Sequence, residues 1–249
     1  MIAPLPDPEH LRRIGLLSRT VAHDFNNFLG AILGYSSLLS SRLEPGSAGQ
    51  RQAGKIEMAA NDASAKTSRL LAFGRMWTMP PSRMPLELSL LQEEIIRRLE
   101  GGGDQPLAEV HAERTESGAK VAIDPQQLHR GIETIATNAC EAQRGAKPPR
   151  IDVRFAVVGS SALPTEPAAP SPTGQWFQIT ISDPGVGMDE ETLAQAGEPG
   201  FSSHVEVRRQ GLGVPIAHGF AHSHGGALQI DSKAGEGTVV TLWLPVASV

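Results

Sequence analysis

The 249 residues carry 22 basic and 27 acidic side chains, a formal net charge of −5; that length holds one large domain or two modest ones, each able to bury a core. Acidic balance with scattered arginines excludes nucleic acid as the main ligand. The single cysteine, Cys140, excludes an internal disulfide and a multi-cysteine metal site, and a start rich in proline and acid, with no apolar run long enough to span a bilayer, predicts a cytoplasmic protein with no direct membrane insertion.

In chain order, Asp7 as N-cap and Pro8 at the first helical position open a long helix over residues 7–43. Ile14, Leu17, Val21, Phe25, Phe28 or Leu29, Ile32 and Leu39 recur at three- and four-residue steps, the spacing of a buried stripe on a bundle helix. Glu44-Pro-Gly-Ser stops this helix. A second pattern over residues 50–76 runs through Ile56, Ala59, Ala63, Leu70, Leu71 and Phe73. The two helices read as an antiparallel hairpin within residues 1–80. A lone hairpin leaves its apolar stripes half covered, and pairing with a second copy into a dimeric four-helix bundle is the simplest remedy, so a homodimer is expected.

Met79-Pro-Pro-Ser reads as a linker, and residues 84–249 then alternate helical and β-rich patterns. The fold class is therefore α+β, the second domain an α/β sandwich with a mixed sheet covered by helices. Helices are predicted over residues 89–100, 125–144 and 214–223. Strands are predicted over 108–113, 120–123, 150–157 and 176–182, with a terminal hairpin of 227–232 and 237–244. A proline- and serine-rich loop over 159–174 is expected to be mobile. There is no internal repeat.

Three glycine-bearing segments stand out: Asp-Pro-Gly-Val-Gly-Met at 183–188, Gly-Leu-Gly at 211–213 before a helix, and Gly-Glu-Gly-Thr at 235–238 between strands. Glycines let a backbone approach a ligand closely, and amides at a helix N-terminus favour phosphate oxygens. Each segment alone reads equally well as an ordinary turn. Their order, with Asn138-Ala139 upstream on a helix and Glu-Pro-Gly-Phe-Ser-Ser at 198–203 between, resembles the ATP-binding domain shared by histidine kinases, gyrase, Hsp90 and the mismatch-repair ATPases. The resemblance implies that Asp183 accepts a hydrogen bond from the adenine amino group and that Asn138 ligates a Mg²⁺ bridging the phosphates. Magnesium favours hard oxygen ligands and retains several waters, so one protein ligand beside the phosphates suffices. Gly185 and Gly187 would let the nucleotide lie against the backbone, Gly211, Leu212 and Gly213 would close the lid over phosphates, and Thr238 completes the last box.

In the first half, Ala-His-Asp-Phe-Asn-Asn-Phe-Leu at 22–29, followed by Gly34-Tyr35 and later by Leu-Leu-Ala-Phe-Gly-Arg at 70–75, resembles histidine kinases of the His-Asp-Phe-Asn-Asn type, so the likeness covers nearly the whole chain. It implies that His23 is the phosphoacceptor, since neutral imidazole presents an unprotonated nitrogen near pH 7. Asp24 could orient the ring or take the released proton. Asn27, one turn beyond, shares the face and could position a water or a partner's aspartate. Two-component signalling then follows: autophosphorylation from Mg-ATP and transfer to an aspartate of a response-regulator receiver domain.

Several positions depart from the family pattern. Thr134 stands where a first asparagine is frequent, His204 where lysine is usual, Gly197 and Gly200 where aromatics are common, and Val207, Arg209 and Gln210 replace two glycines and a threonine of the lid. Arg208 or Arg209 could neutralise phosphate in place of the lysine, while branched Val207 stiffens the lid. An alternative is therefore a histidine phosphotransferase or response-regulator phosphatase with a weak or silent ATP site. A further alternative is an ATP-driven clamp or an ATP-binding regulator without histidine chemistry; the clamp version predicts a transducer domain after the nucleotide site, which is not expected in the residues up to Val249.

Overall fold

In the computed structural model, which describes residues 2–101, 107–143, 145, 148–163, 167–202 and 210–247, α1 spans Pro8–Arg42 and α2 spans Ala48–Thr78. The turn between them is built from its own polar groups. Gly46 takes a positive φ of 76°, Ser47 Oγ accepts from Gln50 N at 3.2 Å, and Gln50 Oε1 accepts from Gly46 N at 2.7 Å, a reciprocal arrangement related to the capping box.

The stripe expected to be buried is not the one α1 buries here. Its buried positions are Leu11, Gly15, Ser18, Ala22, Leu29 and Ser36, whereas Leu17, Val21, Phe25, Phe28, Ile32 and Leu39 are exposed. The reason is close approach between the helices. A Cβ on Gly15 would lie 3.0 Å from Trp77 Cβ, one on Gly74 would lie 2.8 Å from Gly15 O, and Ser36 Oγ donates to Ala53 O at 2.9 Å. Large side chains cannot fit at these close-approach points, and although Leu11 and Leu29 are buried, Leu17, Val21, Phe25, Phe28, Ile32 and Leu39 occupy the neighbouring face.

The chain divides into two compact units, Glu9–Thr78 and a second made of Met1–Pro8 with Met79–Val249. The second unit contains β1 (Met84–Glu87), α3 (Leu88–Glu100), β2 (Glu109–Glu113), β3 (Lys120–Ile123), α4 (Pro125–Ala142), β4 (Arg150–Gly159), β5 (Gln175–Asp183), α5 (Glu190–Gln195), α6 (Gly213–Ser223), β6 (Ala227–Lys233) and β7 (Gly237–Pro245). Five strands form a mixed sheet in the order β2-β4-β5-β7-β6, parallel only between β2 and β4, and β1 pairs antiparallel with β3 in a separate ribbon. Ile151, Val153 and Phe155 on β4 and Phe177, Ile179 and Ile181 on β5 are buried at alternate positions, the period of a strand with one face on a core. Phe155 and Phe177 stack at 5.8 Å. Helices α3, α4 and α6 cover that face, while Trp176, Trp243 and Ala227 form a smaller cluster under Val158 and Leu163.

Three findings differ from the sequence reading. The first residues pack with the second unit and not with the hairpin: Ile2 bridges to Asp231, and Ala3 N donates to Ile230 O at 2.8 Å on the open edge of β6. β1 and α5 lack the length and periodicity that would announce them in sequence. The described parts of the 159–174 loop are fastened, with Ala168 N and Ala169 N donating to Gly226 O and Gly225 O, and with Trp176 Nε1 donating to Ser160 Oγ.

The seam sets a test. Gly74→Ala places a methyl against two main-chain atoms, Gly15 O and Arg19 N at 2.9 Å, which cannot move aside. Overpacking costs roughly 1–3 kcal/mol against the about 1 kcal/mol that alanine gains in helix propensity, so thermal unfolding should show a net loss. Gly30→Ala, with nothing within 4 Å, should gain about 0.5–1 kcal/mol; a Gly74→Ala chain that melts above the wild type refutes the close seam.

Candidate active site

Asn138, Asp183, Gly185, Gly187, Gly211, Leu212, Gly213 and Thr238 all lie in the second unit, around the carboxyl end of β5 and the facing ends of α4 and α6. Helix α4 begins where Asp124 Oδ1 accepts from Gln126 N and Gln127 N at 2.9 and 3.1 Å, with Pro125 at the first helical position. Its apolar face is buried through Leu128, Ile132, Ile135, Ala136 and Ala139. That period leaves Asn138 on the exposed side, facing the start of α6.

Gly213, the first residue of α6, packs on Asn138. A Cβ there would meet Asn138 Nδ2 at 2.8 Å, Thr134 Cγ2 at 3.0 Å and Asn138 Oδ1 at 3.1 Å. The glycine thus places the first amides of α6 directly over the amide side chain of α4, a setting suited to an anion above and a hard cation beside it. Thr134 contributes its methyl to this contact while its hydroxyl donates to Arg130 O at 2.8 Å.

Asp183 ends β5 and pairs in register with Thr238 of β7. Its side chain is buried, at 9% exposure, and Oδ1 accepts from Gly185 N at 2.8 Å. Oδ2 has no partner among the described residues. Burial raises the pKa of the carboxyl to about 6, against a smaller lowering by the Gly185 amide. A Cβ on Gly185 would collide with Asp183 Oδ1 at 2.5 Å and Ala142 Cβ at 2.6 Å, and Gly187, at φ 63°, lies against Lys233 O. The loop between them is held on both sides: Val186 N donates to Ala142 O at 2.9 Å, and Gly235 N donates to Val186 O at 2.7 Å. Gly211, at φ 57°, sits against the Phe201 backbone, and its carbonyl accepts from Gly200 N at 3.1 Å. Leu212, buried, precedes α6.

Two residues that the sequence did not place at the site join this region. Ser232 is buried, accepts from Met188 N at 3.0 Å and reaches Gly237 O at 2.8 Å and Thr238 Oγ1 at 3.1 Å, so it pins the Asp183 loop to the β6–β7 turn. A serine at a strand end carries no sequence signal of that kind. Cys140 is half-buried, and burial, with a smaller contribution from the charge of Asp183, raises its thiol pKa. Ser203, His204, Val207, Arg208 and Arg209 lie outside the described residues.

His23, Asp24 and Asn27 lie on α1, in the other unit, all exposed. His23 Nδ1 is 3.3 Å from Asp24 Oδ1, which orients the ring and leaves Nε2 toward solvent. Asn27 is four residues on, over the same face. No helix among the described residues is long and apolar enough to cross a membrane, and none of their His, Cys, Asp and Glu side chains cluster in threes to hold a metal ion; the donors near Asn138 suit a cation shared with phosphates rather than one held by protein alone.

The chain is 26% identical over 237 residues to the sensor kinase CckA of Brucella abortus (strain 2308), covering 95% of this chain and 25% of that protein. It is 24% identical over 241 residues to the sensor histidine kinase ZraS of Escherichia coli (strain K12), covering 96% and 47%. It therefore spans less than half the length of these relatives. The crystal structure of full-length ShkA in complex with AMPPNP shares the fold at a TM-score of 0.62 and 17% identity, over 98% of this chain and 47% of that one. Acinetobacter baumannii histidine kinase AdeS aligns at 0.51 and 12% identity, over 88% and 96%. Residues 123–248, from the end of β3 through β7, match the family described as histidine kinase-, DNA gyrase B-, and HSP90-like ATPase. The chain belongs to that family of ATPases.

Proposed function

We propose that this chain is the catalytic core of a two-component sensor histidine kinase, which binds Mg-ATP in the second unit, autophosphorylates His23 and passes the phosphoryl group to an aspartate of a response-regulator receiver domain. One observation carries the reading: a chain with the ATPase family's glycine-bearing loops around buried Asp183 also presents an exposed His23–Asp24 pair on a helical hairpin.

The chemistry follows from the side chains. Asp183 Oδ2 would accept a hydrogen bond from the adenine amino group, Gly185 and Gly187 would let the base and ribose lie on the backbone, and Gly211, Leu212, Gly213 and Thr238 would face the phosphates. Asn138 would offer Oδ1 to a magnesium ion, which would supply positive charge beside the phosphates. Phosphoryl transfer needs in-line positioning and charge neutralisation more than covalent help. His23 Nε2 attacks the γ-phosphorus, the bond to the β–γ bridging oxygen breaks, ADP leaves, and Asp24 takes the Nδ1 proton as the phosphoimidazole forms. Asn27 would position a water or the receiver aspartate.

The exposed apolar ridge on α1 is the matching face for a homodimer. Leu17, Phe28 and Tyr35 are 71%, 65% and 75% exposed, far more than isolated surface apolar residues would explain. Two hairpins meeting on this ridge complete a four-helix bundle.

Thr134 favours a second reading, a phosphotransferase or receiver phosphatase with a weak ATP site. Its hydroxyl is committed to Arg130 O, and it offers Gly213 a methyl where a second amide would coordinate.

Three measurements decide these points. With γ-phosphate-labelled ATP and Mg²⁺, wild type should take up acid-labile label, His23→Gln should take up none while keeping nucleotide affinity, and Asn138→Ala should lose Mg-ATP turnover; no label on folded wild type selects the second reading. Binding an amino donor favours the ionised form of Asp183, so adenine nucleotide binding near pH 6 should release a proton. Calorimetry in buffers of differing ionisation heat reads that proton, and Asp183→Asn should abolish it and weaken binding roughly ten- to a hundredfold, the worth of a hydrogen bond to a charged group. Sedimentation should give twice the chain mass at micromolar concentration, falling to one chain mass in Phe25→Asp/Phe28→Asp.

A further inference from the structure

Ser82 and Arg83, where the chain enters the second unit from the hairpin, are tied to the ends of α4 and α6 opposite the nucleotide residues. Ser82 N donates to Asp124 Oδ2 at 2.7 Å, and Arg83 donates to Ser223 O. Asp124 thereby divides its carboxylate: Oδ1 caps α4 and Oδ2 takes the linker.

The backbone amide of Asp124 donates to His224 Nε2 at 3.0 Å, and His224 Nδ1 lies 2.8 Å from Phe220 O. An amide N–H only donates and a carbonyl only accepts, so the ring is neutral with its proton on Nδ1. Burial holds it so, lowering its pKa to about 4. Ser223 Oγ adds a bond to Gln127 Oε1 at 2.7 Å.

From this node the two helices run antiparallel to the site. Gly131 admits the Phe220 ring, where a Cβ would clash at 2.8 Å, and Gly213 seats on Asn138 at the far end. Helix α6 has 11 residues, about 16 Å at 1.5 Å per residue, and its hydrogen bonds resist axial compression. A displacement at His224 therefore arrives at Gly213.

We infer that Asp124 and His224 are positioning residues that clamp the interdomain linker to the α4–α6 pair, so that the linker and the nucleotide site move as one body. The kinetic part rests on the histidine kinase reading. With the linker clamped, bound ATP samples few orientations relative to the phosphoacceptor; released, it samples many, which lowers effective concentration without changing nucleotide contacts.

Two variants of the full chain test this. Ser82→Pro/Arg83→Ala removes both linker bonds and leaves the helices intact. Its kcat for autophosphorylation should fall at least fivefold with KM for ATP within twofold of wild type, and unchanged kcat overturns the clamp. His224→Phe keeps the ring's packing and removes its acceptor. Without nucleotide, its amide exchange should quicken both near residues 82–84 and at 213–217, at the far end of α6. Faster exchange confined to 82–84 and 221–226 marks a local structural role and also overturns the inference. If wild type takes up no label, the kinase reading fails, and the exchange at 213–217 still decides the coupling.

Discussion

The contact of α4 with α6 is the constraint on which the rest of the ATP-binding unit depends. It is close because glycine stands at both crossing points, Gly131 under Phe220 and Gly213 over Asn138. Packed interiors transmit displacement because they have little free volume. A side chain at either glycine would lift α6 from α4 and carry its first amides away from Asn138. The sheet beneath supplies the rigid base: Phe155 and Phe177 stack across β4 and β5, and the alternating apolar positions of both strands face the helices.

The site itself works against stability. Asp183 is a carboxylate in a mostly dry setting, its pKa raised to about 6 by burial. The sign follows directly: a carboxyl whose folded pKa exceeds its ordinary value favours folding only while protonated. Its contribution is greatest below the usual carboxylate range and is lost as pH rises through about 6. At neutral pH the unit carries an ionised, half-satisfied carboxylate, and a ligand that donates to Oδ2 relieves it. Strain and unpaired polar groups at a binding site are commonly the cost of ligand affinity. Ser232 limits the damage by pinning the loop through Met188 N and Gly237 O.

Small residues mark the points of closest approach within the hairpin, among larger buried ones such as Leu11, Leu29 and Phe73. Small residues, Gly15, Ser18, Ala22 and Ser36 on α1 with Ala53, Ala60 and Gly74 on α2, are buried within the chain. Leu17, Val21, Phe25, Phe28, Ile32 and Leu39 of α1 form a second ridge that no described residue buries. His23 and Asp24 lie on the same helix as that ridge, so a bundle that buries the ridge also fixes how the histidine is presented.

Much of this was legible in the sequence. Periodicity located both hairpin helices, and the order of glycine boxes after Asn138 identified the ATPase family, because glycine at a close approach and asparagine at a helix face are local requirements written in residue type. What sequence could not rank was which of two apolar stripes on α1 faces its own partner helix, since the choice depends on a main-chain approach at Gly15 and Gly74 that only folding brings about. Nor could it place Ile2 and Ala3 along β6, join Ser82 to Asp124 across 42 residues and Asp124 to His224 across 100, or reveal Ser232. The sequence by itself determined the α+β class and the ATPase family, and it supplied the candidate site residues on which the proposal rests. Tertiary structure alone decided how far Asp183 is buried and what holds its loop, because desolvation and long-range hydrogen bonds exist only once distant segments meet.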